Sequence, residues 1–408
     1  MALHDDGFDH DVLVLGGGLV GSALACALDG GAWRVGQVEA STPQAGAPGF
    51  DERKLALARA SLDALAALDV LSRLETPPAP IRRIHVSRAG DFGSVRLAAE
   101  DVGQPAFGGV VLARELGAAL ESRLGDFRAL VRHRPARVVE VRPDADGPRV
   151  RIERDGESTW LRTRLLVAAD GRDSLARAMH GIDTTTHDYG QVIVVCSLAT
   201  ERAPDGTAYE RFTDTGPVAL LPMAGGHYGA ICGVAAADAT RVMALDDPAY
   251  AAYFQQRFGW RAGRVRRVGA RSAHPAVRAV ASRIVAPRLV VMGNAAQTIH
   301  PVGAQGFNLG LRDALTLAEG LRADGDPGDP GDPARLQAYA DARREDRERT
   351  LAFSDGLARA TANPSFPMHV LRSLGLLALG HVPGLSAPLV AGAMGYRGQV
   401  PELARGAR

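Results

Sequence analysis

Short apolar runs that end in glycine-rich turns occur at three distant points of the chain. They span residues 11–15, 165–169 and 289–292, and each is rich in Val, Leu or Ala. Runs of this length, bounded by turn residues, are typical of buried strands. The first and third runs are followed, after the turn, by residues that favour helices. This order of strand, turn and helix predicts an α/β fold.

A different pattern fills the middle of the chain, where short β-type segments follow one another without helices between them. They predict an antiparallel sheet inserted into the α/β unit, with strands at 191–198, 208–212, 218–221 and 228–234. Earlier β segments are expected at 84–87, 95–97, 137–141 and 149–152, the last two as a hairpin. Helical spacing of apolar residues predicts helices over 55–74, 114–124, 249–258, 307–321 and 337–354.

The first apolar run leads into a sequence typical of nucleotide-binding turns. It is followed by Gly-Gly-Gly-Leu-Val-Gly at 16–21, a helix-forming segment, and a second apolar run that ends in Glu39. This is the order of a βαβ unit that binds an adenine dinucleotide. We expect Gly16 to make the tight turn, Gly18 to let the backbone approach a pyrophosphate, and Gly21 to let helix and strand pack closely. Glu39 is placed to accept hydrogen bonds from a ribose.

Proline- and glycine-rich breaks divide the predicted elements into three parts. We expect a discontinuous Rossmann-like unit formed by residues 1–75, 100–185 and 285–325. A second unit, built on the antiparallel sheet, is expected to comprise 76–99 and 186–284. The Gly-Asp-Pro repeat at 325–333 predicts a solvated loop, and a C-terminal helical region is expected over 326–408.

Two features of the C-terminal region carry predictions of their own. The charged run at 343–349 is predicted to be the solvated face of its helix. The stretch 368–394 is apolar but interrupted by Gly and Pro, which predicts two short helices that pack on the body. A surface that contacts a membrane or a partner protein is the alternative for this stretch.

Composition limits the partners and the compartment. The 408 residues carry a formal net charge of only +1, so no nucleic-acid partner is expected. The three cysteines are far apart, which favours neither disulfides nor a zinc site, and we predict no metal site and a reducing cytoplasm. Neither a signal peptide nor a spanning helix is predicted, because no stretch has the required pattern. Lys54 is the only lysine, which we attribute to a GC-rich genome.

Two other stretches strengthen the nucleotide signal. Asp170 follows the second buried run, where ligand contacts are common in α/β sheets, although a turn-capping role is equally open. In the third stretch, Gly303 and Gly306 precede a helix expected to begin near Phe307. The free N–H groups at such a helix start favour a ligand that is, or becomes, negative. His300 is the catalytic candidate, as an acid–base group, with a hydrogen-bonded packing histidine as the alternative.

The three stretches together resemble the FAD-dependent aromatic hydroxylases, the family that includes para-hydroxybenzoate hydroxylase. The resemblance reaches from the N-terminus to about Glu319 and is closest to the ubiquinone-biosynthesis branch, of the 2-octaprenyl-6-methoxyphenol hydroxylase type. The wider family has Asp where this chain has Asn294, and the ubiquinone branch also has Asn there. The matching segments are 167–171, 210–212, 258–260, 293–298, 300–301 and 305–310.

The resemblance assigns FAD contacts residue by residue. The glycines of the first turn would hold the pyrophosphate, Asp170 would meet the flavin side, and Asn294 would lie near the ribityl chain or pyrophosphate. Residues 306–308 would place backbone N–H groups at the pyrimidine edge of the flavin, and Pro301 would shape the pocket beside the ring. The full implied set is Gly16, Gly18, Gly21, Glu39, Arg53, Arg114, Asp170, Asn294, Pro301, Gly306, Phe307 and Asn308.

The family's chemistry implies the co-substrates. NAD(P)H reduces FAD, and the reduced flavin reacts with O2 to a C4a-hydroperoxide that hydroxylates a phenol. No second Gly-x-Gly-x-x-Gly is present, which agrees with transient binding of NAD(P)H. The implied substrate is a polyprenyl phenol, and a ubiquinone-biosynthesis complex is the implied partner. The expected location is the cytoplasm, with a peripheral position at the inner membrane as the alternative. A hydroxylase of another phenol, a dehydrogenase and a non-catalytic flavin-binding subunit stay open.

Overall fold

The computed structural model describes residues 7–42, 53–300, 303, 305–322, 328–362, 365–382, 384–396 and 398–406. The strands are β1 His10–Leu15, β2 Val35–Val38, β3 Lys54–Ala58, β4 Ala79–Ile81, β5 Arg83–Arg88, β6 Ser94–Ala98, β7 Gly108–Leu112, β8 Val131–His133, β9 Arg137–Arg142, β10 Arg149–Arg154, β11 Glu157–Ala168, β12 Thr184–Thr200, β13 Thr207–Thr213, β14 Gly216–Pro222, β15 Tyr228–Ala235, β16 Val265–Val268, β17 Ser272–Ala281, β18 Val285–Ala286, β19 Leu289–Val291 and β20 Gln297–Thr298. The helices are α1 Leu19–Ala27, α2 Arg59–Ala67, α3 Ala113–Leu124, α4 Leu175–Met179, α5 Ala239–Met243, α6 Asp247–Phe258, α7 Gln305–Leu321, α8 Pro333–Ala362, α9 Phe366–His381 and α10 Ala387–Ala393.

A parallel sheet forms the centre of the cofactor-side unit. Its strand order is β19-β11-β1-β2-β8, with β18 added antiparallel at the β19 edge. The apolar side chains of β1 and of the end of β11 are fully buried, as expected for strands covered on both faces. The predicted α/β class is confirmed, and the three apolar runs are three of these strands.

The inserted sheet is also confirmed, and it is larger than predicted. Its order is β20-β17-β12-β15-β14-β13-β5-β6, with β16 paired to β12. All pairs in it are antiparallel except β13 with β5. One face is covered by α6, whose Tyr250, Phe254 and Phe258 are buried against it. The opposite face, which we call the inner face, carries Ala208 and Leu221.

A third, small sheet packs on the inner face. It has the order β3-β7-β4, and its Ile81 and Val110 share an apolar cluster with Ala208 and Leu221. The helix predicted over 55–74 is therefore wrong in its first part. The segment Lys-Leu-Ala-Leu-Ala has helix-forming residues, but it pairs with β7 along its whole length, and this tertiary pairing overrides local propensity. The helix begins only at Arg59.

The charged run in α8 corrects a second prediction. Arg343 and Asp346 are almost completely buried, although we predicted a solvated face for 343–349. Asp346 accepts hydrogen bonds from Arg312 and Arg343, and Arg343 also donates to Asp313, each at 2.7 Å. Arg312 and Asp313 lie in α7, so the inward positions of α8 pack on polar side chains of that helix. Arg347 is half-buried and donates to Gln297 and to the carbonyl of Ala281, so only the other charges of the run, such as Arg344, face solvent.

The C-terminal stretch forms two short helices, α9 and α10, as predicted from its broken apolar pattern. The buried Asp91 carboxylate fixes the inward side of α9. Its Oδ1 lies 2.5 Å from His369 Nδ1, and its Oδ2 accepts from Arg372 Nε at 3.1 Å. Among the described helices, none combines the length and hydrophobicity needed to cross a bilayer.

Candidate cofactor and active site

The first glycine turn lies directly beside the turn that carries Asp170. Gly16 has φ +105°, and a Cβ atom there would stand 2.4 Å from the carbonyl oxygen of Ala169 and 3.1 Å from Cα of Asp170. A side chain at Gly16 is therefore excluded by backbone. The parallel pairing of β1 with β11 brings these two sequence motifs, which are about 150 residues apart in the chain, to one edge of the sheet.

Gly21 and Gly18 have different surroundings. A Cβ on Gly21 would lie 2.1 Å from the carbonyl oxygen of Gly16, so glycine is required for α1 to start beneath the turn. Around Gly18, apart from its chain neighbours, no atom of the described residues lies within 4 Å of the Cβ position. Gly18 is the N-cap of α1, and no side chain of the described residues caps that helix. The free N–H groups of α1 thus face open space that suits a phosphate group.

Glu39 stands at the end of β2 against the same turn. Its Oε2 accepts from the Gly17 N–H at 2.6 Å, and its Oε1 accepts from the N–H and hydroxyl of Ser41 at 2.8 Å and 2.6 Å. Although burial opposes ionisation, these hydrogen bonds lower the pKa of the Glu39 carboxyl. The side chain is therefore an ionised acceptor at neutral pH, as contact with a ribose requires. That contact remains a prediction.

The structure shows the turn-capping role of Asp170, and its contact with a ligand stays a prediction. Oδ2 accepts from the Leu175 N–H at 3.1 Å, which caps the turn. Oδ1 is buried and has no hydrogen-bond partner among the described residues. Burial raises the pKa of this carboxyl. A buried oxygen without a donor is costly, and a ligand hydroxyl or amide N–H would satisfy it.

The third motif packs on the first. Gly293 has φ +57° and opens a short 3-10 turn, on which Asn294 is exposed. A Cβ on Gly310 of α7 would lie 2.7 Å from Val20 Cγ2 and 3.3 Å from Cα of Gly293. Val20 of α1 thus fills the space that these two glycines leave. The starts of α1 and α7 consequently lie close together, at the carboxyl ends of β1, β11 and β19.

The helix of the third motif begins at Gln305, two residues before the predicted start. A Cβ on Gly306 would meet no atom of the described residues. The side chain of Asn308 has a role that the sequence did not suggest. Its Oδ1 accepts from the Ala58 N–H at 2.9 Å and from the Ser61 hydroxyl at 2.7 Å, so it ties α7 to the β3–α2 segment. Pro301 lies outside the described residues.

Arg53 and Arg114 are brought together by the antiparallel pairing of β3 with β7. The carbonyl oxygen of Arg53 accepts from the N–H of Ala113 at 2.9 Å, and Arg114 is in the first turn of α3. Both arginines are exposed. A pair of accessible guanidinium groups suits a phosphate-bearing ligand, and contact of these residues with the cofactor stays a prediction.

His300 has the surroundings of a packing residue. It is 1% exposed, its Nε2 lies 3.2 Å from Gln191 Oε1, and its ring meets Tyr189 edge-on at 4.8 Å between centroids. Burial lowers the pKa of the imidazole to about 4. It is therefore neutral at pH 7 and poorly suited to gain a proton. The geometry matches the packing alternative.

These observations fit bound FAD. The uncapped start of α1, the ionised Glu39 and the orphan oxygen of Asp170 offer acceptors and donors at one edge of the sheet. The site residues that the structure describes converge there from three distant segments. Arg53 and Arg114 lie on two further segments, which the pairing of β3 with β7 joins.

The comparisons with known proteins agree with this fit. A family model described as an FAD-binding domain matches residues 9–354. The chain is 36% identical to the ubiquinone hydroxylase UbiL of Rhodospirillum rubrum, over 96% of this chain and 91% of that protein. It is 28% identical to 3-demethoxyubiquinol 3-hydroxylase of Escherichia coli, over 90% of this chain and 94% of that protein.

A solved structure shares the fold over almost its full length. The p-nitrophenol 4-monooxygenase PnpA from Pseudomonas putida superposes with a TM-score of 0.78 at 16% identity, covering 95% of this chain and 98% of the other. Motifs, geometry, family model and relatives are consistent with one another. The chain therefore belongs to the FAD-binding family of aromatic-ring hydroxylases, in the group that contains the ubiquinone hydroxylases.

Proposed function

We propose that this enzyme hydroxylates the ring of a polyprenylated phenol in ubiquinone biosynthesis, using FAD, NAD(P)H and O2. The observation that carries the proposal is the convergence of three glycine turns at one sheet edge, in a chain 36% identical to a ubiquinone hydroxylase. FAD, when bound, supplies the redox chemistry that activates O2. Substrate choice, orientation and protection from water are the tasks of the protein.

The residues of the chain divide these tasks. In our proposal the start of α1 and the Arg53–Arg114 pair bind the pyrophosphate, and Glu39 holds the ribose. Asp170 Oδ1 accepts a hydrogen bond from the cofactor. The start of α7 places its N–H groups where negative charge develops on the reduced ring, which stabilises that form.

We assign the substrate to the space bordered by the inner face of the large sheet. That face is apolar where Ile193, Val195 and Ile231 cluster, and where Ala208 and Leu221 meet the small sheet. Apolar walls suit a phenol with a prenyl tail and keep water from the reaction. The domain division fits this assignment: 1–75, 100–185 and 285–325 for the cofactor, 76–99 and 186–284 for the substrate, and 326–408 as the helical cover.

Two experiments test the substrate assignment. Quinone profiling of a deletion strain is expected to show a polyprenyl phenol that lacks one ring hydroxyl. Purified enzyme is expected to oxidise NAD(P)H faster when that phenol is added. Unchanged quinones together with turnover of simple phenols would favour a hydroxylase of another pathway, whereas FAD binding without phenol-stimulated oxidation would favour a flavin-binding subunit.

We propose further that α9 contacts a membrane surface, where a polyprenyl phenol resides. Its outer side carries Val370, Leu371 and Leu374, which are 38%, 64% and 55% exposed. Val382 and Leu385, 47% and 48% exposed, continue this α9 stripe. A contiguous apolar stripe of this kind on a protein surface marks an interaction site.

Charge and anchoring favour a lipid surface as the occupant of the α9 stripe. No Asp or Glu occurs between Asp355 and Glu402, so the segment carries no carboxylate to be repelled by anionic lipid headgroups. Since Asp91 fixes the inward side of α9 through His369 and Arg372, the apolar side is held outward. Such a helix lies in the interface without spanning the bilayer. A second copy of the chain and a protein of a biosynthetic complex are the competing occupants.

A further inference from the structure

The side chains of β13 alternate between the two faces of the large sheet, as strand geometry requires. Tyr209 packs edge-on against Phe258 of α6 at 5.6 Å between ring centroids, and Arg211 Nε donates to the carbonyl of Arg257 at 3.1 Å. Both therefore face α6. Glu210, between them, points to the inner face, the side on which Ala208 packs against the small sheet.

The neighbours of Glu210 on the inner face are apolar. It pairs with Ala219 of β14 and Val86 of β5, and Ala219 pairs with Ile231 of β15. Glu210 makes no hydrogen bond or ion pair with any described residue. Its side chain is half-buried and keeps some accessible surface. Burial disfavours the charged form and raises the pKa of the Glu210 carboxyl to about 7.

The same face also meets the segment that leads into α7. Ile231 pairs with Val195 of β12, and Val195 shares an apolar cluster with Tyr189 and Ile231. Tyr189 contacts the ring of His300, which lies five residues before α7 begins at Gln305. A row of paired inner-face residues thus runs from Val195 of β12 through Ile231 and Ala219 to Glu210. Its β12 end lies near the segment that precedes α7.

We propose that Glu210 is a catalytic base that accepts the phenolic proton of the substrate, an inference that rests on the proposed function. The O–H bond of the phenol breaks, its electron pair stays on the phenolic oxygen, and the proton forms an O–H bond with the Glu210 carboxylate. No oxidation or reduction accompanies this step. The resulting phenolate carries more electron density at its ring carbons, which favours attack on an electrophilic oxygen. A base that titrates near the working pH serves such a transfer best.

The kinetic test compares wild type with Glu210→Gln, which keeps the size and polarity of the side chain but cannot accept the proton. Wild-type hydroxylation is expected to rise with pH through about pH 7. In the variant that rise is expected to be lost and the rate at high pH to fall by about 10²-fold or more. FAD affinity and flavin reduction by NAD(P)H are expected to be unchanged. Glu201→Gln, on an exposed loop end paired with Arg266, is the matched control.

A spectroscopic test needs no turnover. In wild type minus Glu210→Gln infrared spectra, a protonated-carboxyl band is expected to titrate near pH 7 and to shift when the phenol binds. A band that ignores the phenol, or a Glu210→Gln enzyme with the wild-type pH profile, would overturn the assignment of the base. If no polyprenyl phenol stimulates wild-type turnover, the proposed function fails instead, and the infrared test is repeated with whichever phenol does.

Discussion

Val20 of α1 occupies the space that a side chain on Gly310 of α7 would need, since a Cβ there would stand 2.7 Å from Val20 Cγ2. This contact locks the two helices whose starts point at the candidate cofactor. The first helix is expected to serve the pyrophosphate and the second the flavin ring. Their spacing is thus set by a valine and two glycines.

Gly18→Val is predicted to abolish FAD binding without harming the fold. The Cβ position of Gly18 is open and its φ of −70° suits any residue, so only the ligand should be displaced. FAD content after reconstitution is the measurement, with the melting temperature of the FAD-free protein as the check on folding. Gly21→Val is the contrasting variant, expected to misfold because its Cβ would collide with the Gly16 carbonyl. A well-folded Gly18→Val protein with normal FAD content would refute the pyrophosphate placement.

Asp170→Ala is predicted to weaken FAD binding by roughly 1.5–3 kcal/mol, the range for losing a hydrogen bond to a charged group. The reason is the buried Oδ1, for which the described part of the chain offers no hydrogen-bond partner. Calorimetric titration of FAD into the apoprotein measures the effect. Asp170→Asn keeps an acceptor oxygen and should lose less. An unchanged FAD Kd in Asp170→Ala would leave the side chain with only its capping bond to Leu175.

Phe307→Pro is predicted to lower the flavin reduction potential by about 30 mV, which corresponds to roughly 1.4 kcal/mol for two electrons. Phe307 lies in the first turn of α7, where N–H groups have no helical acceptor, and proline removes one of them. Slower reduction by NAD(P)H should accompany the change. Phe307→Ala keeps the N–H and should barely move the potential. If both variants keep the parent potential, the start of α7 does not face the flavin.

Asp346→Asn is predicted to destabilise the protein by about 3–5 kcal/mol, because it leaves the buried Arg312 and Arg343 without their shared carboxylate. Urea unfolding at neutral pH measures the loss. The matched control on the same helix is Arg344→Met, whose exposed partner is Asp341 and whose effect should stay within about 0.5 kcal/mol. Equal small losses in both variants would show that the buried network contributes little.

The same network gives a pH dependence. Although burial opposes ionisation, Arg312 and Arg343 lower the pKa of the Asp346 carboxyl. A lowered pKa means that the stabilisation is present above the unfolded value of about 3.9 and is lost as pH falls through the lower folded value. Wild type should therefore lose stability relative to Asp346→Asn in that acidic window, and parallel pH curves would count against the ion pairs.

Leu371→Glu combined with Leu374→Glu is predicted to abolish binding to vesicles that contain anionic lipid, because two charges would enter the apolar α9 stripe. Co-sedimentation measures the binding, and Met179→Glu, at an exposed apolar position on α4, controls for added charge. Light scattering reports the mass in solution. Vesicle binding that survives the double substitution would refute the membrane role, and a shift from dimer to monomer without any vesicle binding would assign the stripe to a second copy.

Local sequence predicted the parts of the site that lie within one strand, turn and helix. The glycine turns, the position of Glu39 and the start of α7 are of this kind, because neighbouring residues in the sequence determine these local conformations. The missed features depend on long-range pairing. β3 becomes a strand only beside β7, and Asn308 finds its partners in a segment about 250 residues away.

The buried ions of α8 show the same limit. A run of alternating charges usually marks a solvated face, and only the contact with α7 reveals that Arg343 and Asp346 are internal. Arg343 and Asp346 are three residues apart and therefore lie on the same side of the helix. This spacing is compatible with a buried side as well as with an exposed one. Glu210 belongs to segment 210–212, which resembles the family. The sheet face to which its side chain points, however, depends on which face of β13 packs against α6.

Isotope labelling tests most directly whether this chain inserts one atom of O2 into the ring of a polyprenyl phenol. FAD-loaded enzyme is supplied with NAD(P)H, ¹⁸O2 and the phenol that accumulates in the deletion strain. The mass of the product is then measured by mass spectrometry. We expect a product with one added ring hydroxyl that carries ¹⁸O. Recovery of the unmodified phenol, with NAD(P)H oxidised at the same rate whether or not the phenol is present, would contradict it.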